Sequence, residues 1–153
     1  MSSPIGHAIV ALALARRLGV RSPRGRAAAL AVALLPDADI ALGLALHGDP
    51  WRLHRRLTHT PAFALGAGAV AGAAGLMSDG KPERGRTSAV LAGAAIGGSH
   101  LVLDNLPYVR LSIRPWVPAP LRRRVFGMSI ANWLLDAAQC CLIARAIQRR
   151  DRP

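Results

Sequence analysis

The sequence predicts an all-α protein, a single antiparallel bundle of about five helices embedded in a membrane. Three observations carry that expectation. Hydrophobic residues make up 52% of the chain and aromatics only 4%, so the apolar mass is mostly Ala, Leu and Val, interspersed with Gly. The apolar stretches lack the alternation that a half-buried strand would show. They are separated by Arg-rich loops, which divides the chain into helices of similar length. A chain of 153 residues is about one domain's worth, and with no repeat or linker to divide it, 1–153 reads as one unit.

The first helix, 4–18, opens with Ser3-Pro4, a capping hydroxyl followed by proline at the first helical position. Its apolar run imitates a secretion signal, yet no basic residue precedes it and Arg16 and Arg17 follow it, which is the wrong order for cleavage. The second helix, 27–46, contains Pro36 with Asp37 and Asp39 just after it. The third, 61–77, repeats the start signal as Thr60-Pro61, and the fourth, 88–105, ends in His100 and Asp104. The fifth, 129–147, carries Asn132, Asp136 and the adjacent Cys140 and Cys141, a spacing that makes neither a disulfide framework nor a zinc ribbon. The connectors are 21–25, 47–58, 78–86 and 106–128.

Whether such helices pack in water or in lipid turns on length and on the outer face. Crossing a bilayer takes about 20 mainly apolar residues, and 60–78 is the segment that passes most easily, while Asp37, Asp39 and Asp136 interrupt the second and fifth helices. Gly68-xxx-Gly72 and Gly93-xxx-Gly97 lie in neighbouring segments, and small residues at that spacing let helix backbones approach closely in a membrane. A soluble bundle would need a polar outer face, and 61–77 has none. The expected location is therefore a membrane, with several passes and lipids as partners. Counting Lys and Arg in alternate loops places the C-terminal tail in the cytoplasm by a small margin. The net charge of +12 permits anionic partners, but with so few aromatics there is little to stack on bases, and no specific nucleic acid is expected.

The chemistry-bearing residues obey a rule. His7 begins the first helix, Asp37 and Asp39 lie late in the second, His54 and His59 precede the third, and His100 and Asp104 close the fourth. In an up-and-down bundle, start, end, start and end all fall on one side. Asn132 and Asp136 in the first turns of the last helix extend the pattern. The i,i+4 spacing of His100 and Asp104 sets imidazole and carboxylate on one helical face. Pro36 breaks the regular backbone, so that Asp37 and Asp39 can both turn inward, one binding a metal and the other orienting a histidine. His54 and His59, five apart, would sit about 140° apart on a regular helix, so a loop must bring both inward. Acidic groups in lipid are costly, and a divalent cation offsets that cost. Mixed His and Asp ligation suits Zn²⁺, with Mn²⁺ or Fe²⁺ as alternatives. The candidates His7, Asp37, Asp39, His54, His59, His100 and Asp104 exceed the needs of one tetrahedral ion, so one or two ions are expected.

The pieces Gly6-His7, Leu34-Leu35-Pro36-Asp37-Ala38-Asp39, His54-Arg55-Arg56-Leu57-Thr58-His59-Thr60 and Ser99-His100-Leu101-Val102-Leu103-Asp104 together resemble the bacterial inner-membrane metal-dependent hydrolases of the LexA-regulated type, over about two thirds of the chain. The resemblance implies an inner-membrane hydrolase with His7, Asp37, His54, His59, His100 and Asp104 at the metal-site positions. More remotely, the order of these motifs is similar to zinc-dependent phospholipase C and P1-type nucleases, which implies phosphoester or lipid-related substrates. Those relatives carry further histidines downstream, whereas this chain has none after His100. The expected mechanism is metal-assisted hydrolysis, with whichever of Asp37 and Asp39 is not a ligand, here assigned as Asp39, as base. Arg55, with Arg56 beside it, would hold a phosphate oxygen pair. Two other classes compete: a membrane transport or ion-binding protein without turnover, and a basic scaffold for anionic surfaces.

Overall fold

The computed structural model describes residues 3–54, 56–77, 85–106, 120, 124–125 and 128–149. Over these residues the chain is almost wholly helical, as its composition predicts. Helix α1 spans Pro4–Arg17 and α2 spans Pro23–Leu34; Ser3 and Ser22 cap them by accepting from the amides of Gly6 and Gly25. A 3₁₀ turn, Leu35–Asp37, joins α2 to α3, Ala38–His47. A second 3₁₀ turn, Leu57–His59, leads into α4, Pro61–Ala73, which Thr60 caps at the amide of Phe63. Helix α5 is Arg86–Asn105. A two-residue antiparallel ribbon, β1 Arg124–Val125 with β2 Met128–Ser129, precedes α6, Ile130–Arg149.

The ends of α1 and α4 have one cause. Gly19 and Gly75 adopt φ of 76°, a conformation that ends a helix cheaply only in glycine. The α4 stop is a correction to the span reading: 60–78 holds only a 13-residue helix, Pro61–Ala73, about 20 Å long. Among the described residues, the helices long and apolar enough to cross a bilayer are instead Pro23–His47, continuous through the 3₁₀ turn, and Ile130–Arg149. The isolated acids in these two segments lower the average hydropathy less than the early end of α4 shortens its run.

Neighbouring helices run up and down. The pairs Ala64 with Gly97, Gly68 with Gly93 and Gly72 with Ala89 align α4 antiparallel to α5 so closely that a Cβ on any of these glycines would run into the facing backbone carbonyl. This is the small-residue packing that the two Gly-xxx-Gly pairs predict. Asp136 meets Ser3 at one end and Arg17 Nη1 donates to the Ile147 carbonyl at the other, at 2.8 Å, so first and last helices are parallel, as an odd number of alternating helical segments requires. Consequently α1, α4 and α6 start at the end where α2 and α5 finish. Away from that end the interior is apolar, with Ala11, Ala15, Ala29, Ile96 and Met77 all buried. Large side chains such as Leu91, Val102, Leu134 and Leu142 point outward, between 58% and 64% exposed, an outer face suited to lipid. Cys140 is buried and Cys141 exposed, and among the described residues neither forms a disulfide.

Candidate metal centre

The convergence expected from the alternating ends is present. The first turns of α1 supply His7, the 3₁₀ turn after α2 supplies Asp37, the turn before α4 supplies His59, and the last turns of α5 supply His100 and Asp104. His59 Nε2 lies 3.6 Å from Asp37 Oδ1, 3.6 Å from Asp104 Oδ2 and 3.3 Å from His100 Nε2. His100 Nε2 lies 3.6 Å from Asp37 Oδ1 and 3.8 Å from Asp104 Oδ2. Ligands held about 2.0–2.2 Å from a zinc ion stand about 3.3–3.6 Å from one another, so these five separations are close to those of donor atoms that share one ion.

The tautomers required for that role are set by the surroundings. The carbonyl of Ala33 accepts from His100 Nδ1 at 2.8 Å. A carbonyl can only accept, so the proton sits on Nδ1 and the Nε2 lone pair faces the centre. For His59 the Thr58 hydroxyl plays that part, 3.3 Å from His59 Nδ1 and donating in turn at 2.6 Å to Oδ2 of Asp39, whose carboxylate also lies 3.3 Å from that ring nitrogen. The other oxygen of Asp39 lies 3.0 Å from His54 Nδ1. Of the two aspartates after Pro36, then, Asp37 reaches the centre and Asp39 holds histidines in place. Both oxygens of Asp39 are engaged, a placement that suits positioning rather than the base role read from the sequence.

His7 packs its ring on that of His100, with centroids 3.8 Å apart and planes 12° from parallel, and its Nε2 is 3.3 Å from Asp104 Oδ1. His7 is 1% exposed and His100 0%. His7 Nδ1 and His54 Nε2 are buried with no hydrogen-bond partner among the described residues, and a buried polar atom so placed costs free energy unless something meets it. His54 also lies with Asp37 and His59 in a second group whose donor atoms are all within 4.8 Å of one another. Burial lowers the pKa of His59, but the hydrogen bond to Asp37 and the charges of Asp39, Asp104 and Asp37 outweigh it and leave the ring above its ordinary value.

The residues fit a divalent ion on charge as well as distance. Asp37 and Asp104 contribute two negative charges and two neutral imidazoles complete the set, so a dication brings the centre to neutrality, which matters most where dielectric screening is low. Arg55 lies outside the described residues. Asp136 does not join the centre: its Oδ2 accepts from the backbone amide and the hydroxyl of Ser3, 2.7 Å from the amide nitrogen, and so anchors the start of α1. Asn132 is half-buried. Spacing arguments missed Thr58, the Ala33 carbonyl and the Ser3 contact. Thr58 stands between His54 and His59 in the sequence, which is the one local hint of its role.

An up-and-down helical bundle with an apolar exterior and a buried His/Asp centre at one end defines the class: a helical protein of membrane type with a candidate cation site. The model of the YdjM inner membrane protein family matches residues 1–152, and the chain belongs to that family. No curated protein and no solved structure matches it. The inner-membrane half of the resemblance seen in the motifs is thereby supported, while the family description says nothing of hydrolysis or of phospholipase C and P1-type nucleases.

Proposed function

We propose that this protein is a multi-pass, metal-dependent hydrolase of the inner membrane, acting on a phosphoester or lipid-related substrate. The observation that carries the proposal is the convergence of Asp37 Oδ1, His59 Nε2, His100 Nε2 and Asp104 Oδ2, with five separations of 3.3–3.8 Å among them. Those four side chains would hold a divalent ion, with zinc favoured by the donor set. Such an ion supplies Lewis acidity and a nucleophilic water at neutral pH.

The protein's own groups have distinct tasks. Thr58 with Asp39, and the Ala33 carbonyl, keep His59 and His100 in the tautomers that present Nε2. His7 backs Asp104 and shields the ring of His100. His54, held by Asp39 at Nδ1, offers its unpartnered Nε2 as a ligand for a second ion beside Asp37 and His59. A transport pathway is disfavoured because the bundle beyond the centre is filled by buried Ala and Ile side chains, whereas a pathway needs polar access from both faces. The outward-facing leucines and the two long apolar helices support several membrane passes.

The test is elemental analysis of detergent-purified protein, followed by phosphoester and phospholipid substrates with and without chelator. One to two equivalents of a transition metal and chelator-sensitive turnover are expected. Protein free of metal after purification in zinc-supplemented medium would overturn the metal reading. Full metal content with no turnover on any phosphoester or lipid would overturn the hydrolase reading and leave a metal-binding membrane protein.

A further inference from the structure

At the opposite end of the bundle a second cavity, of about 660 Å³, opens between α1, α6 and the start of α2. It belongs to none of the chemistry above. Its wall on α1 is a single stripe of Ile9, Leu12, Ala13 and Arg16, which the helical repeat places on one face. From Ile9 to Arg16 that stripe runs about 10 Å along the helix axis, apolar through the middle of the bundle and cationic at its end. Val20, with Ala144 of α6, continues the apolar surface, and Arg21, Arg26 and Gln148 complete the polar mouth. Among the described residues lining the cavity, three are arginines and none is acidic. Arg26 stands in the first turns of α2, whose amide dipoles add to the positive potential.

We infer that this cavity binds an anionic phospholipid of the surrounding membrane, its phosphate held by Arg16 and Arg26 and one acyl chain lying along Ile9, Leu12 and Ala13. The complementarity is twofold. Guanidinium groups pair bidentately with phosphate oxygens, and basic pockets between membrane helices are suited to anionic headgroups. The apolar stripe begins where the arginines end, so a head and tail joined in one molecule satisfies the whole cavity, and a soluble phosphate satisfies only its mouth. The inference is independent of the metal centre.

Native mass spectrometry of the full-length protein in detergent, titrated with phosphatidylglycerol or phosphatidylcholine of matched chains, provides the test. Phosphatidylglycerol is expected to be retained at least tenfold more tightly, and the double variant Arg16→Gln, Arg26→Gln to lose most of that preference. Arg86→Gln, which removes an exposed charge from the start of α5 at the same end but outside the cavity, should leave it intact. Equal retention of the two lipids by the unaltered protein would overturn the inference without recourse to any variant. So would an equal loss in Arg86→Gln, which would mean a diffuse surface charge. Displacement of the lipid by millimolar glycerol phosphate would also overturn it, since the mouth alone would then account for binding.

Discussion

At the end where α1, α4 and α6 begin, a set of histidines and aspartates turns inward; at the end where α1 and α6 finish, arginines turn outward. The inward set, His7, Asp37, Asp39, His59, His100 and Asp104, is buried or nearly so, and its members must find partners within the protein. The outward set, including Arg16, Arg21, Arg26 and Arg149, is exposed and can be met by water or lipid headgroups. Burying a charge is tolerated only when it is paired, and arginines with long apolar stems reach solvent easily. The difference therefore separates a built centre from an anchoring surface, even though each end has a similar density of ionisable residues.

The most damaging change to the inward end should be His100→Ala combined with Asp104→Ala, which removes two of the four converging donor groups. Metal content by elemental analysis is expected to fall from stoichiometric to near background, with turnover lost alongside it. Unchanged metal content would break the contrast between the two ends. Asp39→Asn tests the holding role separately: the amide retains an oxygen but loses the charge facing His54 and His59. Loss of such an outer partner typically weakens metal binding about 10–100-fold, measurable by competition with a chromophoric chelator.

Smaller effects lie outside the centre. Gly93→Ala would push a methyl into the carbonyl of Gly68. Overpacking of this kind costs about 1–3 kcal/mol, read as a lower midpoint of thermal unfolding in detergent, and a midpoint equal to wild type would refute the close α4–α5 contact. Asp136→Ala removes the acceptor of the Ser3 amide and hydroxyl. A loss of about 1–2 kcal/mol is expected, with metal content kept, because Asp136 anchors α1 and does not touch the centre. Metal loss in this variant would move Asp136 from an anchoring to a ligating role.

Much of the fold can be read from the chain because the signals are local. Ser3-Pro4 and Thr60-Pro61 mark helix starts by capping chemistry, and both stand where expected. The arrangement of His7, His100 and Asp104 also follows from helix ends alone, since alternation puts those ends together whatever the side-chain details. The length of α4 was less legible. Its apolar run continues past Ala73, and only the left-handed turn at Gly75 shows where the helix stops. Asp136 has the spacing of an inward-facing acid, yet it pairs with Ser3, a residue more than 130 positions away that no spacing rule connects to it.

What the sequence determined by itself is the helical class, most helix boundaries and the end of the bundle where imidazoles and carboxylates gather, because each follows from backbone propensity and order along the chain. What tertiary structure alone decided is the division of labour: Asp37 turned to the centre while Asp39 grips His54, Thr58 and His59, and the Ala33 carbonyl orients His100. The physical reason is that those roles depend on how far each helix is rotated and on the geometry of one broken turn. Asp37 and Asp39 are the same residue type two positions apart, so nothing in the composition distinguishes ligand from support.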